Sequence, residues 1–309
     1  MSDIKLFRTN GDIVTQLEGK TVALERSLQS LIEKHLEVFL GIRFLASEHS
    51  TGKTHGGRID TLGIDEDGCP CIIEYKRTTN ENVINQGLFY LDWLMDHKAE
   101  FELLVLRKFD REIADNIEWS SPRLICIAGR FTKYDEHAVQ QINRNISLIE
   151  YVRFDEEFLL LEMVSAVTST ESIEFPDISV VKPPSKVGGN QAKSVQDQID
   201  RSSKELLDVY KELENYLATL GDDIQGKTLK WYIAFKRIKN FLSVVFQHGQ
   251  NNMLLFVKVD PDSIQLVAGF TRDVRTIGHF GTGSLEVTVR TSEDLEKALP
   301  WIKQSYDAN

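Results

Sequence analysis

The sequence predicts an α/β (α+β) protein of two units: a mixed sheet flanked by helices, followed by a smaller α+β domain. Three observations predict it. Strand-length apolar runs alternate with amphipathic helical stretches through the first half. A stretch from Thr168 to about Val195, poor in apolar residues and punctuated by Pro176, Pro183, Pro184, Gly188 and Gly189, reads as a linker. The length of 309 residues, at roughly 150 residues per domain, suggests two domains. The expected boundaries are therefore 1–167, a linker at 168–195, and 196–309.

In chain order, Leu24 to Leu40 carries Leu24, Leu28, Leu31, Ile32, Leu36 and Phe39 at helical spacing, and Gly41 ends it. Ile42–Leu45 is strand-like, and Ser47 to Gly57 reads as a polar loop. A hairpin follows: Arg58–Ile64, an acidic turn Asp65-Glu66-Asp67-Gly68, and a return strand Cys71–Lys76. Glu81 to about His97 reads as a helix bearing Val83, Tyr90, Leu91 and Leu94. Phe101–Leu106 and Leu124–Ala128 look like buried strands, with a helix around Arg111–Asn116 between them. Helices are expected at Asp135–Asn143 and Glu156–Val164. In the second unit, Asp197–Leu220 reads as one long acidic helix. Strands at Leu229–Phe235, Phe241–Phe246, Met253–Val259 and Leu285–Thr288 precede a terminal helix from Ser292 to about Ser305.

Composition narrows the function classes. Hydrophobic residues at 41% and charged ones at 27% are ordinary globular usage. Collagen-like repeats, wholesale disorder and a disulfide-stapled miniprotein are excluded. Three Cys make no disulfide framework, and a reducing compartment is the simpler reading. The N-terminus lacks the apolar core of a secretory signal, and no stretch approaches the ~18 apolar residues of a spanning helix. The expectation is a soluble cytoplasmic protein without membrane association. With 36 Lys+Arg against 47 Asp+Glu, 36 − 47 gives a net charge of −11, which argues against a histone-like wrapping binder. An enzyme with a local basic groove and metal-binding carboxylates remains compatible.

The hairpin carries the informative residues. Side chains at i and i+2 share a strand face, so Glu74 and Lys76 emerge together while Ile73 and Tyr75 point the other way. A carboxylate inside the run Cys-Ile-Ile-Glu-Tyr-Lys needs a partner, because burying an unpaired charge is costly. The plain alternative is a salt bridge of Glu74 or Asp60 with Lys76 on an exposed face. Gly56-Gly57 just before the strand allow close backbone approach. Gln86 and Tyr90, four apart, lie on one helix face.

These pieces, in the order helix-Glu25, Gly-Gly-x-Ile-Asp60, Ile-Glu74-x-Lys76 and Gln86-x-x-x-Tyr90, resemble the PD-(D/E)XK nuclease superfamily, and within it the RecB-like branch and NucS-type endonucleases. The resemblance spans about Leu24 to Leu94. GGRIDTLGIDEDG and IIEYKR look like the Asp strand, turn and E-x-K strand of the NucS pattern, and ERSLQSLIE like the helix bearing the upstream Glu. Ile59 stands where the superfamily name has Pro. Nothing here matches the NucS N-terminal domain, so that family's binding mode and substrate do not carry over.

The resemblance implies a restriction-endonuclease-like fold and a Mg²⁺- or Mn²⁺-dependent deoxyribonuclease. Asp60 and Glu74 would be metal ligands, with the Tyr75 backbone carbonyl as a third and Glu25 completing the shell or holding a second ion. Magnesium favours oxygen ligands and retains waters. Lys76 would orient the attacking water and offset developing charge. Gln86 and Tyr90 would position the helix and the DNA backbone. Lys53, Arg58 and Arg77 flank the strands as phosphate contacts.

Other candidates are weaker. Cys69 and Cys71, without a second Cys/His pair, read as buried thiols. His49 and His55 read as solvated loop residues that could touch phosphate or metal, and Gly281-Thr282-Gly283 as a turn. Lys227, Lys230, Lys236, Arg237 and Lys239 interleave with Trp231, Tyr232 and Phe235, which suits nucleic acid by stacking and phosphate contact. The alternative is one buried aromatic face and one solvated charged face. This region resembles the C-terminal domain of uncharacterised bacterial proteins, some labelled as transporters, although no membrane segment supports transport. Two readings compete with a DNA endonuclease of repair or anti-phage defence. One is an inactive nuclease-fold module that binds DNA or protein; the other is an interaction protein that homodimerises through Asp197–Leu220.

Overall fold

The computed structural model describes residues 4–20, 26–76, 83–155, 157–168, 194–221 and 223–309. The chain divides into two compact units, residues 1–169 and 170–309. Glu25, Arg77 and most of the Thr168–Val195 stretch lie outside the described residues, as does the side chain of Lys76.

The first unit opens with a hairpin, β1 (Leu6–Asn10) and β2 (Ile13–Leu17), then β3 (Gly19–Lys20), α1 (Arg26–Lys34), α2 (Leu36–Leu40), β4 (Ile42–Ser50) and α3 (Gly52–His55). There follow β5 (Arg58–Asp65), β6 (Pro70–Lys76), α4 (Val83–Asp96), α5 (Lys98–Lys108), α6 (Arg111–Asp115), β7 (Arg123–Ala128), α7 (Lys133–Gln140), β8 (Asn145–Phe154) and β9 (Phe158–Val167). The main sheet runs β3-β8-β7-β6-β5-β4, with β9 also on β8. Strands β6, β7 and β8 are parallel, whereas β4-β5, β5-β6 and β8-β9 are antiparallel. The sheet is therefore mixed. Parallel neighbours need crossovers, which the helices between β6 and β7 and between β7 and β8 supply.

Pleating sends Leu62, Ile64 and Ile72 into a core with Leu91 and Leu94 of α4, Phe101 and Val105 of α5, and Leu124 and Cys126 of β7. Burial of each such side chain contributes about 1.5–3 kcal/mol. Helix α4 sits close on the sheet because Gly87 has no side chain, and a Cβ there would come 2.4 Å from Leu124 Cδ1.

Several expectations require correction. Phe101–Leu106 is helical within α5. Phe101 and Val105, four apart, are buried, while Leu103 and Leu106 are 44% exposed. A short apolar run carries no decisive period, and i,i+4 burial against the sheet selects the helix. Glu156–Val164 is not a helix; its described residues from Phe158 belong to β9, which pairs along β8 from Phe154–Phe158 to Ile146–Val167. The strand β8 was not anticipated at all. Ser47–Gly57 is no loop throughout, since β4 continues to Ser50 and α3 follows. The stretch to Leu40 is split at His35 into α1 and α2.

The second unit comprises α8 (Val195–Asp200), α9 (Lys204–Leu220), β10 (Gln225–Thr228), β11 (Ile233–Lys236), β12 (Asn240–Gln247), β13 (Asn252–Val257), β14 (Thr271–Asp273), β15 (Leu285–Val289) and α10 (Ser292–Asp307). The expected single helix from Asp197 is two helices, because the Ser203 side chain caps α9 by accepting the Leu206 N–H. The sheet is antiparallel throughout, in the order β10-β11-β12-β13-β15-β14. One face packs Leu242, Val244, Met253, Leu255 and Val287 against Leu213 of α9 and Ile302 of α10. Among the described residues, no helix is long and apolar enough to cross a membrane.

Candidate active site

The β5–β6 hairpin is set by its turn. Asp65 Oδ1 accepts the N–H groups of Asp67 (3.0 Å) and Cys69 (2.8 Å), and Gly68 takes the left-handed conformation with φ 79°. Asp65 Oδ2 pairs with the buried Arg123 at 3.0 Å. Asp65 thus serves architecture. Cys69 and Cys71 are buried beside it, as expected.

From Ile64–Pro70 to Thr61–Ile73 the ladder is regular, and there it ends. Beyond that rung β5 continues on β4 through Ile59–His49, and β6 continues on β7 through Tyr75–Ile127. The two strands part at Asp60 and Glu74, and side chains replace the missing ladder bonds. Asp60 N–H donates to Glu74 Oε1 at 3.1 Å, and Tyr75 N–H donates to Asp60 Oδ2 at 3.1 Å. Each carboxylate is held by a main-chain donor on or beside the other.

Helix α4 supplies further supports. Gln86 Nε2 donates to Glu74 Oε2 at 3.0 Å and lies 3.4 Å from Tyr90 Oη. Arg58 N–H donates to that phenol oxygen at 3.1 Å. Gly57 permits the arrangement, since a Cβ there would lie 2.5 Å from the Tyr90 ring. Glu74 is fully buried and Asp60 half-buried, so the hydrogen bonds offset a desolvation cost that an unpaired carboxylate could not bear.

The opposite face of the hairpin holds residues that sequence reasoning missed. Gln29 and Glu33 lie four apart on α1. The Gln29 amide donates to the Asp60 carbonyl at 3.3 Å, and Glu33 Oε1 accepts from the Thr61 hydroxyl at 2.6 Å. Tyr75 Oη lies 3.4 Å from Thr61 Oγ1. Burial holds the Tyr75 phenol well above its ordinary pKa; the Thr61 hydrogen bond opposes this, and the charges of Glu33, Asp60 and Glu74 add to it. The i,i+4 pair on a helix leading into the hairpin was the available sequence signal.

The structure therefore brings together Asp60, Glu74, Gln86 and Tyr90, and ties the backbone of Tyr75, next to Glu74 on β6, to Asp60 through its N–H. Lys53 is exposed on α3. Arg58 is exposed but paired to Glu48 at 2.6 Å. His49 is a strand residue against Trp93, with Nε2 3.3 Å from Glu100, and His55 packs on Phe89 and His97. These contacts correct their reading as solvated loop residues. In the second unit, Tyr232, Phe235 and Lys236 are buried, Lys230 lies over the Trp231 ring, and Arg237 pairs with Asp223 at 2.6 Å. That arrangement favours the buried aromatic face over a stacking platform.

The donor set at the parted strands is all oxygen, which fits a hard divalent cation. Among the described residues, no group of three or more His, Cys, Asp or Glu is placed to hold an ion. The described carboxylates there are the pair Asp60 and Glu74.

Fold and site together define a mixed-sheet α+β protein whose central hairpin opens onto two hydrogen-bonded carboxylates. Residues 195–309 match the family described as a domain of unknown function, DUF5655. The chain is 27% identical, over 98% of its length and 99% of the relative's, to a Haemophilus influenzae protein described as uncharacterized. It is also similar to a solved structure titled "Structure of EndoMS-dsDNA2 complex", at 22% identity and a TM-score of 0.29. That similarity covers 43% of this chain and 47% of the other, so the chain spans just under half of that protein's length.

Proposed function

We propose that the first unit is a metal-dependent deoxyribonuclease that hydrolyses phosphodiester bonds at the Asp60–Glu74 pair. The carrying observation is the parting of β5 and β6 at these two residues, with Tyr75 N–H on Asp60 and Asp60 N–H on Glu74. A hairpin whose ladder is replaced by carboxylates presents oxygen donors from two strands at one point. The sequence resemblance of Leu24–Leu94 supports the same reading and suggests DNA repair or anti-phage defence as the setting.

Asp60, Glu74 and the Tyr75 carbonyl would hold Mg²⁺ or Mn²⁺, with Glu25 joining them. Such an ion, when bound, acidifies water and polarises a phosphoryl oxygen. Lys76 is assigned to orient the attacking water and offset charge on the phosphate. Gln86 and Tyr90 fix the direction of Glu74 and the start of β5. Lys53, Arg58 and Arg77 are the proposed phosphate contacts, Arg58 by exchanging Glu48 for phosphate.

The test is incubation of the full chain with single-stranded, duplex and flap DNA, with Mg²⁺, Mn²⁺ or chelator. Cutting is expected only with metal and is lost in Asp60→Ala and Glu74→Ala; cutting that survives both changes refutes the assignment. A binding-only reading is favoured by one observation, the complete burial of Glu74 with an oxygen on Gln86 and another on Asp60 N–H. It predicts DNA retention insensitive to chelation and no cleavage with any ion.

A further inference from the structure

At residue 60 the closed ladder between β5 and β6 has ended, yet both main-chain groups of Asp60 have partners. A residue of an antiparallel strand sends its N–H and C=O toward the same neighbour, so both groups face the gap. Glu74 Oε1 accepts the N–H at 3.1 Å. The carbonyl is taken from α1, by the Gln29 amide at 3.3 Å. The same amide nitrogen lies 3.1 Å from Glu33 Oε1, which accepts the Thr61 hydroxyl at 2.6 Å. Thr61 stands on the last closed rung, opposite Ile73, and its Oγ1 lies 3.4 Å from Tyr75 Oη. Hydrogen bonds thus lead from the Asp60 carbonyl through α1 and across to β6, behind the gap. Gln29, Thr61 and Tyr75 in this run are buried.

The gap is therefore braced on two sides, and the braces differ in kind. The front brace runs through the Asp60 and Glu74 carboxylates, the proposed metal ligands themselves. An ion draws on the same lone pairs that accept these N–H groups, so binding loosens this brace. The back brace uses an amide, the Glu33 carboxylate, a hydroxyl and a phenol, and no oxygen assigned to the metal. It keeps its full strength when an ion is present. Pairing the Asp60 carbonyl needs Gln29 alone. The continuation through Glu33 and Thr61 to Tyr75 ties in the strand that carries Glu74 and the proposed carbonyl ligand.

We propose that Gln29 and Glu33 are positioning residues that fix the spacing of Asp60 from Glu74 and thereby set which divalent cation the pair accepts. The inference rests on the metal-site reading of that pair. Magnesium demands near-ideal octahedral geometry at short distances, and manganese shares that oxygen octahedron. Calcium accepts longer, more variable and more numerous contacts. A gap held to one width favours the small ions, and a gap released from α1 gives up that preference.

The test is Mn²⁺ binding to the full chain, read from the paramagnetic resonance signal of the free ion, with Mg²⁺ and Ca²⁺ measured by competition. In Gln29→Met, Glu33→Met and Thr61→Val, affinity for Mg²⁺ and Mn²⁺ is expected to fall about tenfold or more, the scale at which losing a ligand's supporting partner acts. Affinity for Ca²⁺ should change by less than about threefold in the same proteins. Thr61→Ser restores the hydroxyl and should bind all three ions like the parent. Glu33 is only half-buried, and methionine keeps its length and helix preference, so Glu33→Met decides the outcome should the other two fail to fold. A parent that binds none of the ions, or binds them as well after Asp60→Ala, removes the metal-site reading and this inference with it. A parent that needs Asp60 for binding, while the folded variants keep all three affinities or lose all three alike, overturns this inference alone.

Discussion

Tyr90 leaves space at residue 57 for a hydrogen atom and nothing more. A Cβ on Gly57 would lie 2.5 Å from its Cε1 and 2.7 Å from its Oη, and that same oxygen accepts the Arg58 N–H at 3.1 Å. A helix side chain thereby fixes where β5 begins, two residues before Asp60.

Gly57→Ala is expected to destabilise the first unit by about 1–3 kcal/mol through overpacking. Adding Tyr90→Ala to it should cost less than the sum of the two single changes, with a coupling of about 0.5–3 kcal/mol. Urea denaturation of the single and double variants checks this; strict additivity would show that the contact carries no strain.

The two aspartates of β5 should separate cleanly by phenotype. Asp65→Ala strands Arg123 in the interior, where both side chains are at most 6% exposed, and is expected to cost about 3–5 kcal/mol. Asp60→Ala removes the acceptor of the Tyr75 N–H and should cost about 1–3 kcal/mol while abolishing the proposed cutting. Denaturation midpoints and a nuclease assay on both proteins give the comparison. Equal stability losses would contradict the structural role of Asp65.

Alkaline pH should unfold the protein partly through Tyr75. Burial raises this phenol in the folded state, so the unfolded chain ionises first, at about pH 10. Above that pH the unfolded state binds fewer protons than the folded one, and stability falls as pH rises. Below it, the contribution is fully present. Tyr75→Phe is expected to flatten the decline above about pH 10, measured by denaturation at a series of alkaline pH values.

Metal binding should register as stability. Mn²⁺ at about 100 times its Kd is expected to raise unfolding free energy by about 2.7 kcal/mol. Asp60→Ala and Glu74→Ala should each erase the increment in thermal melts. An increment that persists in both variants would place the ion elsewhere.

Much of the hairpin could be read before any coordinates. Asp65-Glu66-Asp67-Gly68 is a turn signal by local chemistry, and Gln86 with Tyr90 shares a helix face by spacing alone; both hold in the structure. Phe101–Leu106, expected as a strand, and Glu156–Val164, expected as a helix, differ in the structure because a short, mostly apolar run interrupted by a single glutamate carries no period that distinguishes helix from strand. Gln29 and Glu33 were overlooked because polar residues on an amphipathic helix look alike until a neighbouring strand is placed beneath them.

The residue order alone determined the hairpin, the alternation along its strands, and the presence of acids at positions 60 and 74, since each depends on neighbours in the chain. Only the tertiary structure decided that β5 and β6 part at those acids, that Gln86 reaches Glu74, and that Asp65 answers to Arg123. It also decided which face of β15 enters the helix-covered core. Such relationships join residues distant in the chain, and their energies come from packing and desolvation that no local pattern encodes.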